Sequence, residues 1–504
     1  MRRGSARTRY VRGAQASRAR GPLRRILVAV ALIAVAAAGL AVARGGGQAK
    51  KNFVVRAGAN ADVSRARGPQ SEVSLAVDPA NASRLVAGSN DIRAERMRVY
   101  ESSNGGRTWT RGFIPFPRGA DLCATSDPSV AVGDRGRRFY SFLGIHCGGG
   151  RERASAVYVS TRGKTGRWYT FPRAVAPAGR LTLFDDRPNI AIDAVPGSPH
   201  RGRLYAAWTR FSLDPSAFWA DPDDEEVDFI GTTVVVTHSD DNGRHWAKPT
   251  TLHGSAAPHE IRLAVGLDGV VYAVWRDVKS NAVYITRSRN GGKTFSRGAL
   301  VAAADVRPGR SCHSARARIP AQPKRCVSSN PVVATDISSG PRAGTVYVVW
   351  NSTALNQSQD VDVAAFDARL HPGLGVKRVQ QVTPLEGIRG PDQFLPAAAV
   401  DPGDGRLWAC YYQSIGRSRR RARFTCTSSD DGGMSWTRPV AAASEPSDES
   451  RRPANIANGY GDYEAVAAGD GHAIAAWTDG RRLRPMREEI YAAALGVLVP
   501  RAGR

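Results

Sequence analysis

The chain has 504 residues, of which 42% are hydrophobic and 23% are charged. These globular proportions exclude a disordered or fibrous chain, and the length exceeds a typical single domain unless the architecture grows by repetition. The formal net charge is +26, but residues 1–50 supply eleven basic residues and no acid, so the remaining chain carries +15. Since no basic stripe interleaved with aromatic residues accompanies this charge, we expect no nucleic-acid partner.

The first predicted element is an apolar segment behind a basic leader. The leader ends at Arg24-Arg25, and an unbroken apolar run of 18 residues follows, Ile26–Ala43. This run is long for a signal-peptide core and short for a membrane span. Two alternatives stay open, cleavage after Ala41-Val42-Ala43 or an uncleaved membrane anchor with its arginine-rich flank inside. Both export the rest of the chain, so we expect residues 1–50 to be a leader and the protein to be extracytoplasmic, either secreted or membrane-anchored.

Seven units with one pattern occupy residues 52–495. Each has a segment rich in Ala and Val, a turn, and a second apolar segment that usually ends in an aromatic residue. The second segments end, in steps of 54 to 75 residues, at Ser89, Leu143, Trp208, Trp275, Trp350, Tyr411 and Trp477. Repeated units of several short strands predict an all-β fold, a β-propeller with seven blades, and six blades are the alternative count. Unit seven lacks a fourth strand, so we expect Phe53–Arg56 to supply it and close the ring, which leaves residues 496–504 as a tail.

Four octets within these units share a serine, an Asn or Asp, a glycine and a closing aromatic residue. They are Ser102–Trp109, Ser239–Trp246, Ser288–Phe295 and Ser429–Trp436. Asn and Asp side chains bond nearby backbone N–H groups and glycine accepts positive φ, so each octet predicts a hairpin turn between the third and fourth strands of a unit. The aromatic residue is expected to pack between sheets.

Six cysteines fall into three local pairs, and none has the CxxC spacing of a zinc or redox site. The pairs are Cys123 with Cys147, Cys312 with Cys326, and Cys410 with Cys426. In an exported chain this arrangement predicts three disulfides. Unpaired buried thiols are the alternative, because free cysteine is itself a common core residue.

The octets are identified as Asp-box, or BNR, repeats, and residues 52–495 resemble the sialidase (neuraminidase) superfamily. The resemblance implies a glycoside hydrolase with three substrate-gripping arginines, an Asp acid/base and a tyrosine nucleophile paired with a glutamate. It also implies that the Asp-boxes lie on the face opposite the active site. Catalytic members carry an Arg-Ile-Pro motif early in the propeller, whereas this chain has it only at Arg318–Pro320, in a loop expected between Cys312 and Cys326. Non-catalytic propellers share the box, so fold alone does not decide function.

The loops that enter the innermost strands and leave the second strands are expected to open together at the mouth of the central channel. For catalysis the candidates there are Asp127 as acid/base, Tyr463 as nucleophile beside Asp462 and Glu464, and Glu260 as a reserve base. Arginine forks match a carboxylate ligand, and acids and one tryptophan lie at the same face. The candidate substrate-binding residues are Arg93, Arg187, Arg276, Arg481, Asp91, Asp277, Asp479 and Trp219. The alternative is a polar ring that only braces loops around a wet channel.

Unit three carries an insertion with six acids in Asp221–Asp228. This segment is a candidate for calcium, but the spacing fits no EF-hand loop, and a solvated acidic loop is the alternative. No zinc motif or phosphate-binding loop is present, so we expect no other metal or cofactor. The sequence therefore predicts an exported, monomeric, sialidase-like hydrolase acting on glycans, with a non-catalytic propeller that binds glycan or protein as the alternative.

Overall fold

A computed structural model describes most of the chain after residue 52. The described residues are 53–146, 154–163, 166–176, 183–213, 229–303, 311–312, 316–353, 358–367, 378–382, 390–450, 459–482 and 488–498. All of these residues lie in one of the two units into which the chain divides, Val42–Arg504. Ile26–Ala43 falls outside them. Over the described ranges, no helix has the length and apolar character needed to cross a membrane.

Seven antiparallel sheets follow one another along the chain, each with its first strand at the channel. Blade 1 has β3 (Gln70–Asp78), β4 (Asn81–Asp91), β5 (Arg96–Ser102) and β6 (Thr110–Phe113). Blade 2 has β7 (Leu122–Val132), β8 (Arg138–His146), β9 (Ser155–Arg162) and β10 (Trp168–Thr170). Blade 3 has β11 (Leu183–Ile192), β12 (Leu204–Leu213), β13 (Phe229–Ser239) and β14 (Thr250–Thr251). Blade 4 has β15 (Pro258–Val265), β16 (Val271–Asp277), β17 (Val283–Ser288) and β18 (Ala299–Ala302).

The remaining blades continue this order. Blade 5 has β22 (Val332–Thr335), β23 (Thr345–Thr353), β24 (Gln359–Asp367) and β25 (Arg378–Gln381). Blade 6 has β26 (Gln393–Val400), β27 (Leu407–Ile415), β28 (Arg421–Ser429) and β29 (Val440–Ala441). Blade 7 has β30 (Ala465–Gly469), β31 (His472–Asp479) and β32 (Glu489–Leu498), joined by the N-terminal β1 (Val54–Ala57) and β2 (Ala61–Asp62). The prediction of a seven-bladed, all-β propeller is confirmed.

The second strand of each blade supplies much of the core. Each blade is covered by a neighbour on both faces, so consecutive residues of this strand are buried instead of alternate ones. Trp208, Trp275 and Trp477 lie on such strands and are completely buried. The apolar segments recognised in the sequence therefore coincide with the strands that the neighbouring blades enclose.

The ring is closed by a strand from the other end of the chain. β1 pairs antiparallel with β32, from Val54 opposite Leu498 to Ala57 opposite Leu495. Val55 is buried in the core that blades 6 and 7 share. The predicted closure by Phe53–Arg56 is confirmed, and the observed strand, Val54–Ala57, begins and ends one residue later. The propeller also continues to Leu498, past the predicted boundary at residue 495.

The four octets form one repeated turn. The serine hydroxyl accepts a hydrogen bond from the backbone N–H of the second glycine position, at 2.8–3.0 Å in all four octets. The Asn or Asp carboxyl or amide oxygen accepts a second hydrogen bond from the backbone N–H four residues later, at 2.9–3.0 Å. The glycines involved have φ between +80° and +87°, which a residue with a Cβ rarely adopts. Each octet joins the third and fourth strands of its blade, the end of the sheet opposite the channel mouth.

One of the three expected disulfides is seen in full. Cys410 and Cys426 lie directly opposite each other on β27 and β28 and are bonded. Cys123 and Cys326 each take part in a disulfide as well. Cys147 lies outside the described residues, as does the side chain of Cys312, so these two pairings stay predictions.

The segment expected as a loop around the Arg-Ile-Pro motif is a small three-stranded sheet. Its strands are β19 (Ser311–Cys312), β20 (Arg316–Ile319) and β21 (Gln322–Val327), between blades 4 and 5. Ile319 is buried while Arg318 is exposed. The loop expectation was wrong because Ile319 pairs with Gln322 across a two-residue turn.

Candidate functional site

A repeated backbone irregularity builds the mouth of the channel. Where the inner strand begins, the strand register shifts in five blades, and in six blades a residue other than glycine has positive φ. These residues are Glu72, Asp127, Arg187, Glu260, Asn330 and Leu395, with φ between +38° and +62°. Bulges and left-handed residues re-aim side chains at functional sites. In blade 7 the corresponding segment starts with Gly461, at φ +81°, before Asp462 and Tyr463.

Glu260 lies at the centre of the charged groups at the mouth. Its carboxylate oxygens are 2.8 Å from Nη1 of Arg187 and 2.9 Å from Nε of Arg276, and the Ser328 hydroxyl donates to it at 3.1 Å. Burial alone would raise the pKa of Glu260, but the Arg276 and Arg187 guanidiniums lower it to about 2. Glu260 is therefore a carboxylate at neutral pH that holds two arginines in place.

These two arginines keep donors unused. Arg276 is completely buried, yet neither of its terminal nitrogens has a hydrogen-bond partner among the described residues. Nη2 of Arg187 is also buried and has no hydrogen-bond partner within those ranges. Buried donors are normally satisfied, so these guanidiniums have capacity for a further anionic acceptor.

Tyr463 lies among residues of three other blades. The guanidinium carbons of Arg187 and Arg262 are 5.1 Å and 4.3 Å from the centre of its ring, and its hydroxyl donates to the Pro128 carbonyl at 3.3 Å. Burial raises the phenol pKa well above 10, the negative charges of Asp127 and Glu72 add to this, and the two arginines oppose it. Tyr463 is 4% exposed, so it lies at the buried end of the mouth.

Glu464, the residue that follows Tyr463, has its carboxyl oxygens hydrogen-bonded to residues other than Tyr463. Its Oε1 accepts a hydrogen bond from the Tyr412 hydroxyl at 2.7 Å, and its Oε2 accepts one from the Thr478 backbone N–H at 3.0 Å. Burial raises the pKa of Glu464 well above its usual range. The carboxylates that influence Tyr463 electrostatically are Asp127 and Glu72 instead.

Arg262 belongs to the site but was missed by the sequence analysis. In blades 1, 2 and 3 the residue after the bulge is Ser74, Ser129 or Asn189, and each accepts a backbone N–H from the inner strand of the next blade at 2.8–3.1 Å. Arginine has no acceptor, so in blade 4 Arg262 cannot make this bond and lies over Tyr463 instead. Its pKa is lowered to about 10 by burial and then by the charge of Arg187. The signal was a cation at a position that the other units fill with a small or uncharged residue.

Two carboxyl groups of neighbouring blades have raised pKa values at the mouth. Burial raises the pKa of Asp127 to about 7, and the Asp186 charge adds to the effect. Burial raises the pKa of Asp186 to about 6, although Arg187 opposes this. Asn90 ties the first two blades together beside them, because its amide donates to Glu72 at 2.7 Å and accepts the Asp127 N–H at 3.1 Å. Asp127 is thus a carboxyl group that changes its protonation close to neutral pH.

The three equivalent aspartates of units one, four and seven lie at turns after the second strand. Asp91 accepts the Ala94 N–H and pairs with Arg98, and Asp277 accepts the backbone N–H groups of Ala257, Lys279 and Ser280. Asp479 accepts from the Trp477 indole and pairs with Arg481. These contacts brace loops, and they place the three carboxylates outside the group around Glu260.

The other predicted ligand-binding residues also lie apart from Glu260. Arg481 donates to Ser444 and Asn60 and covers the Tyr491 ring at 4.2 Å. Arg93 is exposed beside Gly68. Trp219 and the candidate calcium segment Asp221–Asp228 lie outside the described residues, and within the described ranges no three His, Cys, Asp or Glu side chains are placed to hold a metal ion. The structure therefore brings together Asp127, Arg187, Glu260, Arg276 and Tyr463 of the predicted set.

The arrangement places three guanidiniums beside groups that can transfer protons. Arg187, Arg262 and Arg276 come from blades 3 and 4 and surround a carboxylate and a phenol. Guanidiniums in a partly dehydrated site stabilise negative charge on a ligand or on a developing phenolate. A carboxyl group with a pKa of about 7 can donate a proton near neutral pH.

No family model and no curated protein matches the chain. Among solved structures it is similar to a protein of unknown function from Dyadobacter fermentans, at 12% identity over 88% of this chain and 99% of that chain, with a TM-score of 0.43. It is also similar to a Hadza microbial sialidase, at 13% identity over 81% and 73% of the two chains (TM-score 0.44), and to the NanB sialidase from Streptococcus pneumoniae, at 10% identity over 89% and 70% (TM-score 0.42). The seven blades of the chain itself establish the β-propeller fold, and its own residues are the basis for interpreting the site.

Proposed function

We propose that the chain is a glycoside hydrolase of the exo-sialidase type and that the channel mouth is its active site. The observation that carries the proposal is the placement of two guanidiniums over the Tyr463 ring, with Asp127 acting on the phenol electrostatically. An anionic sugar would find its counter-charge in Arg187, Arg262 and Arg276. A glycan is therefore the ligand class that we assign to this face.

In this proposal Tyr463 attacks the anomeric carbon, and Asp127 donates a proton to the leaving oxygen. The phenolic proton passes to Glu72, the other carboxylate whose charge acts on the phenol, and the neighbouring arginines stabilise the charge that develops on the oxygen. Water then hydrolyses the glycosyl–tyrosine bond with Asp127 as base, and the phenol regains its proton from Glu72. Glu260 acts on the arginines, because its carboxylate contacts Arg187 and Arg276 and fixes their positions. It is a positioning residue here and not a base.

A second function, binding of an anionic glycan without turnover, is favoured by one observation. The Tyr463 hydroxyl donates to the Pro128 carbonyl and not to a carboxylate that could accept its proton. A ring held in this way closes the channel and supports the arginines without reacting.

Turnover of a fluorogenic α-sialoside by the full-length chain, measured from about pH 4 to 8, separates the two functions. We expect hydrolysis, and we expect Tyr463→Phe to lower kcat by at least about 100-fold while sialoside binding persists, because the phenylalanine ring keeps the contacts with the arginines. Binding by the wild-type chain without any hydrolysis would contradict the enzyme and support the binding protein.

The pH profile tests Asp127 separately. A general acid must be protonated, and the pKa of this carboxyl in the free protein is about 7. The ratio kcat/KM should therefore fall as the pH rises through about 7, because this ratio reports groups of the free enzyme. Asp127→Asn should remove that dependence together with most of the activity, and an unchanged basic limb in the variant would contradict the assignment.

We also propose that the propeller is exported, as a secreted or membrane-anchored protein. The support is the apolar run Ile26–Ala43 together with the disulfide between Cys410 and Cys426, because disulfides persist in oxidising compartments. Protease added to intact cells or to their medium should digest the propeller. Full protection until the cells are lysed would contradict export.

A further inference from the structure

A basic recess lies where blade 7 meets blade 1, and none of the residues grouped around Glu260 lines it. Its volume is about 700 Å³, within the usual range of ligand pockets. β2 and the segment after it form one side, and the first octet and β6 of blade 1 form the other. Five arginines and two carboxylates line it, a net charge of +3. The arginines are Arg65, Arg67, Arg107, Arg111 and Arg482.

Arg111 provides a fixed positive charge in this recess. Its guanidinium donates to the backbone carbonyls of Val63 at 2.8 Å, Trp109 at 3.0 Å and Asp62 at 3.0 Å. These neutral acceptors orient the group without cancelling its charge. The pKa of Arg111 is lowered, first by burial and then by the nearby charge of Arg65. Like charges therefore repel each other here in the unliganded protein.

The other arginines of the recess are exposed, and few carboxylates form ion pairs with them. Arg65 and Arg67 form no ion pair with a described residue, and Arg107 donates only to the Asn104 carbonyl in its own octet. Arg482 approaches Asp62 at 4.0 Å with its side chain 66% exposed. Such a group of guanidiniums suits several oxyanions at once, because each planar fork can bind a sulfate or carboxylate through two hydrogen bonds.

The aromatic residues of the recess distinguish between polyanions. Trp109 and Tyr491 are 6% and 4% exposed, so neither presents a ring face. Single-stranded nucleic acid depends on exposed rings that stack with its bases, and these are missing from the described lining. A polysaccharide that carries sulfate or carboxylate groups needs only the guanidiniums. We propose that this recess binds such an anionic polysaccharide as a second site, independent of the channel mouth.

The test measures binding of a heparin hexasaccharide to the full-length chain by titration calorimetry at several salt concentrations. The recess variant is Arg65→Asn, Arg67→Ser and Arg107→Ser, with asparagine at 65 because that residue has a φ of +39°. The matched control is Arg244→Ser, Lys293→Ser and Arg297→Ser. It removes the same charge from exposed sites, and residues 244 and 293 are equivalent to 107 in other octets.

We expect salt-sensitive binding that weakens about tenfold in the recess variant and changes less than about twofold in the control, with thermal unfolding unchanged in both. Tyr463→Phe should leave this binding intact, so its outcome is separate from that of the proposed hydrolase. Equal weakening in both triple variants, or no binding by the wild-type chain, would overturn the proposal. The proposal would also be overturned if a single-stranded DNA of equal charge bound as tightly as the hexasaccharide and if this binding were lost in the recess variant.

Discussion

Glu260 neutralises positive charge of the arginines at the channel mouth. It is a buried carboxylate between two buried arginines, and one of these, Arg276, is completely enclosed. Buried ion pairs contribute little compared with apolar packing, but the removal of one partner leaves an uncompensated charge. At the residue scale, the integrity of the site therefore depends on this one side chain more than on the candidate catalytic groups around it.

We expect Glu260→Gln to lower the free energy of unfolding by about 3–5 kcal/mol at pH 7, measured by urea denaturation. The pKa of Glu260 is lowered from 4.5 to about 2 in the folded state, so its contribution is complete above about pH 4.5. The difference between wild type and variant should shrink as the pH falls towards about 2. Glu445→Gln, at an exposed glutamate, is the control and should stay within about 0.5 kcal/mol.

The sequence correctly located some of the acidic and basic residues of the mouth and wrongly included others. Alignment of the seven units identified Asp127, Arg187, Glu260 and Tyr463, because each lies at the start of an inner strand and the fold repeats that position. The same alignment included Asp91, Asp277 and Asp479, whose oxygens accept hydrogen bonds from their own turns. Sequence position cannot distinguish a carboxylate that faces a channel from one that braces a loop, since both favour the same strand ends.

At the scale of elements, the Asp-box is a hairpin turn in which two hydrogen bonds recur in all four copies, one to the serine hydroxyl and one to the Asn or Asp side-chain oxygen. In the fourth octet Asp431 accepts the backbone N–H groups of Met434 and Ser435, both at 2.9 Å, and the Ser435 hydroxyl at 2.6 Å. The closing Trp436 is 3% exposed. These contacts hold the turn at the end of the blade opposite the channel mouth.

Asp431→Ala should therefore lower stability by about 1–2 kcal/mol, because two backbone donors lose their acceptor. It should leave KM for a sialoside unchanged, since the octet and the mouth lie at opposite ends of the strands. Thermal unfolding measures the loss of stability, and steady-state kinetics measures KM. Asp121→Ala, at an exposed aspartate, is the control. A large increase in KM for Asp431→Ala alone would contradict the structural role of the box.

The octets and the repeated apolar segments were predictable because both are local in sequence. The turn chemistry of Asn, Asp and glycine acts over eight residues, and the enclosed second strand contains a short segment rich in apolar and aromatic residues. The sheet formed by β19, β20 and β21 was not predicted, since its short strands have no repeat to compare with. Arg262 was missed for a related reason, because its partner Tyr463 is 201 residues away and belongs to another blade.

At the scale of the whole molecule, closure of the ring joins the two ends of the propeller. Val54 and Val55 are neighbours on β1, but Val54 is 49% exposed while Val55 is 4% exposed and packs in the core of blades 6 and 7. Closure places a strand from the start of the domain at the outer edge of the last blade, and it removes an edge that would otherwise be free to pair.

This pair of valines offers a matched test of closure. Val55→Asp buries a charge and should lower the free energy of unfolding by about 3 kcal/mol or more, whereas Val54→Asp should change it by about 0.5 kcal/mol or less. Urea denaturation of both variants measures the difference. Equal effects would mean that β1 does not pair with β32 in the observed register.

The most direct measurement of the central claim is covalent trapping at the channel mouth. The full-length chain is incubated with 2,3-difluorosialic acid, whose fluorine beside the anomeric carbon slows hydrolysis of a glycosyl-enzyme intermediate, and the digested protein is examined by mass spectrometry. A single sugar adduct on Tyr463, absent from Tyr463→Phe, is the predicted result. No adduct, or an adduct on a residue outside the group around Glu260, would contradict a sialidase-type active site at this mouth.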